Sequence, residues 1–451
     1  MKNAIIIANK RKSTIDSEKP TILHEIIDKT MIEKILDNFE YLNFDTITSL
    51  VDYDHDKIKE ILEKKSEYKL IDQNTNMLRA VYGIDKLRES DGYTIVTDAN
   101  VPLITAETYD LMLDMVKEYP MIVLTSYAAG YSGCDIIVRN PEKALRSIIK
   151  YEDATADEKA IKEVNMNIYA FNNKLLFEYL DILAKDGSDF DIRDIIEVFK
   201  TNGHRVMPLQ IAEAREAERI SSRRDLVFAN DWERTRLNNY WQENGVTIYD
   251  SSTTTIGSDV LIGHDTIIYP NNRIIGKTII GKNNIIESDN KIKDTKIGDH
   301  NIIDRSIINK SEIGSENNIG PWANLREHVI MGDGNRVGSS VELKKTQMKD
   351  HNSIAHNVYL GDTTIQSYNN IGWGVVTANY DGKKKNKTKI GSHSFIGSAT
   401  TIIAPVTIGD KAVVAAGSTI NEDVEDNALA IERNHQVNKP NRGKEYLERE
   451  E

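Results

Sequence analysis

Residues 256–292, IGSDVLIGHDTIIYPNNRIIGKTIIGKNNIIESDNKI, carry an isoleucine at every sixth position: Ile256, Ile262, Ile268, Ile274, Ile280, Ile286 and Ile292. A period of six fits neither the 3.6 of an α-helix nor the alternation of a simple strand. It fits a three-sided coil in which three hexapeptides make one turn and each aliphatic side chain points at the axis. After a one-residue slip the beat continues through Ile297 and Ile303, then through Ile313, Ile319, Leu325, Met331, Val337 and Leu343. Met348, Ile354, Leu360, Ile365 and Ile371 follow, and after one interruption it runs from Ile390 to Ile420. Glycine often comes next after the aliphatic residue, and Asn-Asn pairs stand at 271–272, 283–284, 317–318 and 369–370. Both suit corners, since Gly and Asn tolerate left-handed backbone. Stacked turns bury a core that no single turn can form. An antiparallel β protein does not hold so strict a spacing, so residues 250–424 are expected to be a left-handed parallel β-helix.

Working outward, residues 1–225 have a different texture. Strand-like runs at 4–8, 46–51, 93–97 and 121–126 alternate with amphipathic stretches at 30–38 and 55–64, which predicts an α/β domain with a largely parallel sheet. Residues 226–249 read as a helical linker with Trp232, Leu237, Tyr240 and Trp241 at helical spacing, and 425–451 as a surface tail. The segment TANYDGKKKNKTK, 377–389, breaks the beat and must leave the coil. Long loops on rigid scaffolds commonly carry function.

Composition narrows the field. The chain has 451 residues, 39% hydrophobic and 28% charged, with no apolar run long enough for a bilayer span. One cysteine, Cys134, excludes an intramolecular disulfide and a cysteine metal cluster. A net charge of −13 argues against general affinity for nucleic acid or an anionic membrane. A cytoplasmic protein is expected. An anionic substrate needs local cations, and Lys383, Lys384, Lys385 and Lys387 supply one cluster on the interrupting loop.

A hexapeptide coil does not specify a reaction. The segment 321–398 does more, with PWANLREHV, VELKKTQ, IAHNVYLGD, NNIGWG, NYDG and IGSAT. Acyl transfer to an amine needs a base, donors for an oxyanion and cations for any phosphate. His356 is the natural base, since imidazole changes charge near neutral pH.

These motifs, above all His356-Asn357-Val358-Tyr359-Leu360-Gly361-Asp362 with Asn370-Ile371-Gly372 and Asn379-Tyr380-Asp381-Gly382, resemble the bifunctional N-acetylglucosamine-1-phosphate uridyltransferase/glucosamine-1-phosphate N-acetyltransferase (GlmU) family along essentially the whole chain. The resemblance implies a nucleotidyltransferase-like, Rossmann-like α/β domain before the β-helix. It implies acetyl-CoA as co-substrate, a sugar phosphate as acceptor, a role in UDP-N-acetylglucosamine and cell-wall precursor synthesis, and a homotrimer. It makes His356 the acetyltransferase base, Arg326, Lys344 and Lys385 the phosphate ligands, and Tyr359 and Asn370 the sugar contacts. Asn379, Tyr380, Ser398, Ala416 and Arg433 fall on the acetyl-CoA positions. One departure is Gly372-Trp373-Gly374, where the family has a small residue between the glycines.

The family's first half opens with a glycine-rich loop of the form Gly-x-Gly-Thr-Arg, whereas this chain has Asn9-Lys10-Arg11-Lys12-Ser13-Thr14. Phosphate cradling needs such glycines so that backbone N–H groups approach the anion. The uracil-recognition Gly-Thr-Gly is Asn76-Met77-Leu78, and the metal-binding aspartate is Asn100, a poor ligand for a hard divalent cation. Asn165 keeps a nucleotide-sugar position. The expectation is an acetyltransferase with a degenerate uridyltransferase domain that takes no metal; Mg²⁺ enters only if that site works. A fully bifunctional enzyme and a catalytically silent scaffold are the other two readings.

Overall fold

In the computed structural model, residues 1–8, 15–52, 56–72, 75–127, 134–185, 189–443 and Leu447 are described. The glycine-loop departure at 9–14 lies outside them. The chain divides into two compact units, Met1–Glu233 and Arg234–Glu451. A single helix, Arg223–Glu243, runs across that boundary in the chain.

The first unit is a mixed sheet with helices. Its central strand, Lys2–Ala8 (KNAIIIA), is almost wholly buried and pairs in parallel with Thr46–Val51 on one side and Tyr93–Asp98 on the other. Fully buried parallel strands read as aliphatic runs, as here. The parallel expectation fails in two places: Glu163–Asn172 lies antiparallel to both Tyr93–Asp98 and Met121–Tyr127, and Ile136–Arg139 lies antiparallel to Leu145–Ile149. The helix Met31–Tyr41 begins at Thr30, whose hydroxyl accepts the Glu33 N–H while the Glu33 carboxylate accepts the Thr30 N–H. Such a capping box satisfies two otherwise orphaned donors.

The second unit is a parallel β-helix of three sheets with 11, 10 and 9 strands. On the first face Ile268, Ile286, Ile303, Ile319, Val337, Ile354, Ile371, Ile396 and Val414 stack in register. On the second, Ile256, Ile274, Ile292, Ile308, Leu325, Leu343 and Leu360 do so, and the third carries Ile262, Ile280, Ile297, Ile313, Met331, Met348, Ile365, Ile390 and Ile408. All are buried in one continuous core. Each such side chain contributes about 1.5–3 kcal/mol on leaving water.

The corners correct the sequence expectation. Asn271 and Asn283 are left-handed, with φ 65° and 56°, but at the other two pairs the left-handed residue is the preceding one, Glu316 or Tyr368. Asn284, Asn301, Asn317, Asn335, Asn352 and Asn369 are buried instead. Each Oδ1 accepts the backbone N–H of its counterpart in the next coil, from Asn301 on Asn284 to Ser394 on Asn369. This internal ladder pairs backbone groups that would otherwise be orphaned. The glycines answer a different need as well. A Cβ on Gly298 would stand 2.7 Å from the Gly314 carbonyl oxygen, so the coils stack too closely for one.

The interruption is shorter than 377–389. Thr377 stays in the coil, buried opposite Ile402, and its hydroxyl accepts the Gly361 N–H at 2.8 Å. Thr388–Ile390 already pairs with Thr363–Ile365. Only residues 379–387 leave the coil. Beyond Val424, Leu429–Ala430 adds one more strand against Val413–Val414, and an exposed tail follows.

Candidate functional site

His356 ends the strand Ser353–His356 of the first face. The next residue, Asn357, is left-handed at φ 48°, which turns the chain into the strand Tyr359–Gly361 of the second face. The imidazole therefore stands exposed at a corner. Its register fixes its neighbours. Ser339 lies opposite it in the preceding coil. In the following coil, the Gly374 N–H donates to the His356 carbonyl, placing Trp373 beside His356. Ala399 N–H donates to the Trp373 carbonyl and Gly417 N–H to that of Ser398. One edge thus carries Ser339, His356, Trp373, Ser398 and Ala416 in consecutive coils. Arg433, arriving from the tail, donates from Nη1 to the Ala416 carbonyl at 2.8 Å. On the Ser339 side a groove of about 490 Å³ includes Arg305, Arg336, Ser339 and His356.

A second cluster lies where the second face ends. Arg326 and Lys344 are register partners. Arg326 Nε donates to Glu342 Oε1 at 2.9 Å and Nη1 to Glu327 Oε1 at 2.9 Å, and Lys344 Nζ lies 3.2 Å from that same Glu327 oxygen. Lys385 reaches the group from the loop, where the neighbouring Lys344 ammonium holds it below the ordinary lysine range. Glu327 and Glu342 lie inside the PWANLREHV and VELKKTQ segments without being named as site residues there; Glu327 directly follows Arg326 at a left-handed corner, and Glu342 stands two residues before Lys344 on its strand. Asn379 Nδ2 donates to Asp362 Oδ2 at 2.7 Å, and Asn379 and the Tyr359 hydroxyl converge on Gly361, where a Cβ would meet each at 2.6 Å. Glycine leaves that space to side chains.

The loop has its own lock. Asp381 Oδ1 accepts the N–H groups of Lys383 and Lys384, and Oδ2 accepts Asn386 Nδ2. These bonds, that of Lys384 first, bring the Asp381 carboxyl down to about 2. Tyr380 pairs with Lys385 across the loop. Of the residues named from sequence, Arg326, Lys344 and Lys385 come together, as do Tyr359 and Asn379, while His356, Ser398, Ala416 and Arg433 share the edge. Asn370 stands apart on the first face, opposite Ser353.

In the first unit a cavity of about 340 Å³ includes Ile7, Asn76, Asp98, Asn100, Tyr169 and Arg219. Asn100 is buried, with no partner for its Oδ1. Asp98 accepts the Asn100 N–H on one oxygen and Arg219 Nη1 at 2.9 Å on the other. Among the described residues no group of three or more His, Cys, Asp or Glu side chains is arranged to hold a metal ion. Asn100 thus presents a neutral amide where the family has a carboxylate, and Asp98 is engaged by a guanidinium. Asn165 donates to Asn167 Oδ1 at 2.9 Å and to the Tyr169 hydroxyl at 2.8 Å. Asn76 caps the helix Met77–Tyr82.

A nucleotidyltransferase-like mixed α/β unit and a hexapeptide β-helix unit in one chain mark a two-domain transferase. Residues 247–365 match the family described as GMPPB C-terminal domain, and residues 387–422 match the bacterial transferase hexapeptide (six repeats). Bifunctional protein GlmU of Geobacillus sp. (strain WCH70) is 36% identical over 443 residues, covering 97% of this chain and 96% of that protein. Bifunctional protein GlmU of Bacillus subtilis (strain 168) is 35% identical over 441 residues, 97% of each chain. A solved 4-diphosphocytidyl-2C-methyl-D-erythritol synthase from Anaerococcus prevotii aligns with 52% of this chain, and 98% of its own, at 16% identity and a TM-score of 0.38. The chain belongs to the GlmU family. No described helix is long and apolar enough to cross a membrane.

Proposed function

We propose that the β-helix unit transfers the acetyl group of acetyl-CoA to the amino group of glucosamine 1-phosphate, giving N-acetylglucosamine 1-phosphate and CoA. The observation that carries the reading is the corner at Asn357, which joins His356 on one edge to Tyr359 on the strand leading to Gly361 and the cationic cluster. Arg326, Lys344 and Lys385 hold the sugar's phosphate and Tyr359 contacts its hydroxyls, while Asn370, which stands apart within one chain, reaches them from a neighbouring copy in the trimer. Guanidinium and ammonium groups suit phosphate, and neutral donors and acceptors suit hydroxyls. Asn379, Tyr380, Ser398, Ala416 and Arg433 receive acetyl-CoA.

His356 takes a proton from the attacking amine as the nitrogen bonds to the thioester carbonyl. The C–S bond then breaks, and the imidazolium returns that proton to the departing thiolate. General-base catalysis of this kind is worth about 10²–10⁴-fold. The product feeds UDP-N-acetylglucosamine and cell-wall precursor synthesis. A cytoplasmic homotrimer with closed cyclic symmetry completes the reading.

For the first unit the proposal is that uridyl transfer is lost. Asn100 is a neutral amide and Asp98 is already paired with Arg219, which weakens any hold on Mg²⁺ there. The rival reading is the bifunctional one, favoured by the names of the two relatives and by the cavity itself. Purified protein decides between them: free thiol from acetyl-CoA and glucosamine 1-phosphate, measured beside pyrophosphate from UTP, Mg²⁺ and N-acetylglucosamine 1-phosphate. The first signal alone is expected. A robust second signal gives the bifunctional reading, and absence of the first overturns the acetyltransferase.

A further inference from the structure

Apart from His356 itself, the row Ser339, Trp373, Ser398 and Ala416 is built from small residues with one exception. Ser339 precedes the imidazole, Ser398 and Ala416 follow, and between His356 and Ser398 stands Trp373, with 55% of its surface exposed. Neighbouring strands lie about 4.8 Å apart, so register partners present their side chains side by side. Two hydrogen bonds hold Trp373 in that place: Gly374 N–H to the His356 carbonyl at 3.2 Å and Ala399 N–H to the Trp373 carbonyl at 2.6 Å. A Cβ on Gly372 would sit 2.6 Å from the Ser398 nitrogen, so the backbone beside the indole is clamped to the next coil. The core of the coil gains nothing from an indole at this outward position. A half-exposed aromatic surface held next to a base, in a row otherwise of serine and alanine, is a contact surface for something lying along the edge.

We infer that Trp373 is a specificity-determining residue: its indole is the apolar platform for the uncharged arm of a CoA thioester, the stretch of methylenes and amides next to the sulfur. The inference rests on the proposed binding of acetyl-CoA at Ser398, Ala416 and Arg433. A ligand running from those residues to His356 crosses Trp373. The arm carries no charge, so packing on the indole and hydrogen bonds are what it offers, and aromatic burial is the larger share.

The test is calorimetry and tryptophan fluorescence on the full chain with three probes: CoA, pantetheine as the arm alone, and adenosine 3′,5′-diphosphate as the charged end alone. CoA and pantetheine are expected to quench fluorescence in the wild type, and the quench is expected to vanish in Trp373→Phe. Trp373→Ala should weaken CoA and pantetheine roughly tenfold or more, with Phe losing less. Affinity for adenosine 3′,5′-diphosphate should not move. Unchanged or tighter CoA binding in Trp373→Ala overturns the platform, as does an equal loss for the charged end alone. Turnover separates this from the reading beneath it. If the wild type binds CoA with these responses but transfers no acetyl group, the platform stands and the acetyltransferase falls. If no CoA binds at all, the platform falls too.

Discussion

Asn335 accepts the backbone N–H of Asn352 on its Oδ1 at 2.8 Å while its own N–H is accepted by Asn317 Oδ1 at 2.8 Å. Neither asparagine touches solvent to any extent, so every rung is a buried amide whose partner is a main-chain group one coil away. Removing one such side chain leaves the Asn352 N–H without its acceptor in a place water does not reach. Asn335→Ala is expected to cost about 2–4 kcal/mol, the lost bonds plus an unsatisfied donor. Urea unfolding of the second unit measures it; a loss under about 0.5 kcal/mol would show that the ladder is incidental.

His356→Ala should lower acetyl transfer by about 10²–10⁴-fold. CoA affinity should hold within about twofold, because the imidazole acts on the proton and not on the carrier. Stopped thiol-release assays and calorimetry report the two quantities separately. A variant that loses both together would point to misfolding or to a binding role.

Lys344→Ala removes one cation from a cluster that already contains two carboxylates, Glu327 and Glu342. With Lys344 gone, Glu327 keeps Arg326 but loses the ammonium 3.2 Å away, and the balance turns against an anion. KM for glucosamine 1-phosphate should rise about 10–100-fold with little change in kcat, the size of one charge-assisted hydrogen bond to phosphate. Steady-state kinetics with glucosamine 1-phosphate, and with glucosamine as a phosphate-free control, check the assignment.

Asp381 supplies a pH prediction. Its folded carboxyl is depressed to about 2 from an ordinary 3.8, first by the Lys384 N–H and then by Asn386 and Lys383. A depressed acid adds stability that is present above its unfolded value and lost as pH falls through its folded value. The loop 379–387 should therefore stay closed at pH 4 and open only as pH approaches 2. Amide shifts of Lys383 and Lys384 should follow a midpoint close to 2; a midpoint near 4 would mean that these bonds do not form. Asp381→Ala should speed trypsin cleavage at the already exposed Lys383, Lys384 and Lys385 at neutral pH, because the loop loses its lock.

The sequence made much of this legible, because the six-residue period answers directly to a three-sided coil. Ile256, Ile262 and Ile268 each name a different face. What it hid are compensations across coils. The Asn-Asn pairs looked like corner residues, yet Asn317 and Asn369 serve the internal ladder, a role that depends on what lies one turn away. Thr377 looked like loop because the aliphatic beat fails from that position on, whereas its hydroxyl is satisfied inside the coil by Gly361 N–H. In the site, His356 and the cations were visible as motifs, while Glu327 and Glu342 lie inside the same motifs and gain meaning only once folding pairs them with Arg326 and Lys344. In the first unit, Arg219 lies far along the chain from Asp98, and only folding brings the two together.

The satisfied hydroxyl of Thr377 has an evolutionary implication. Because the stack is continuous on both sides of residues 379–387, the excursion hangs from the coil like a removable cassette, its two roots anchored at Thr377 and Thr388. Lengthening, shortening or recharging its exposed part, beyond the buried Asn379, leaves the stacked faces of the prism in place. Substrate preference can therefore drift by replacement of that single segment, without any renegotiation of the core beneath it.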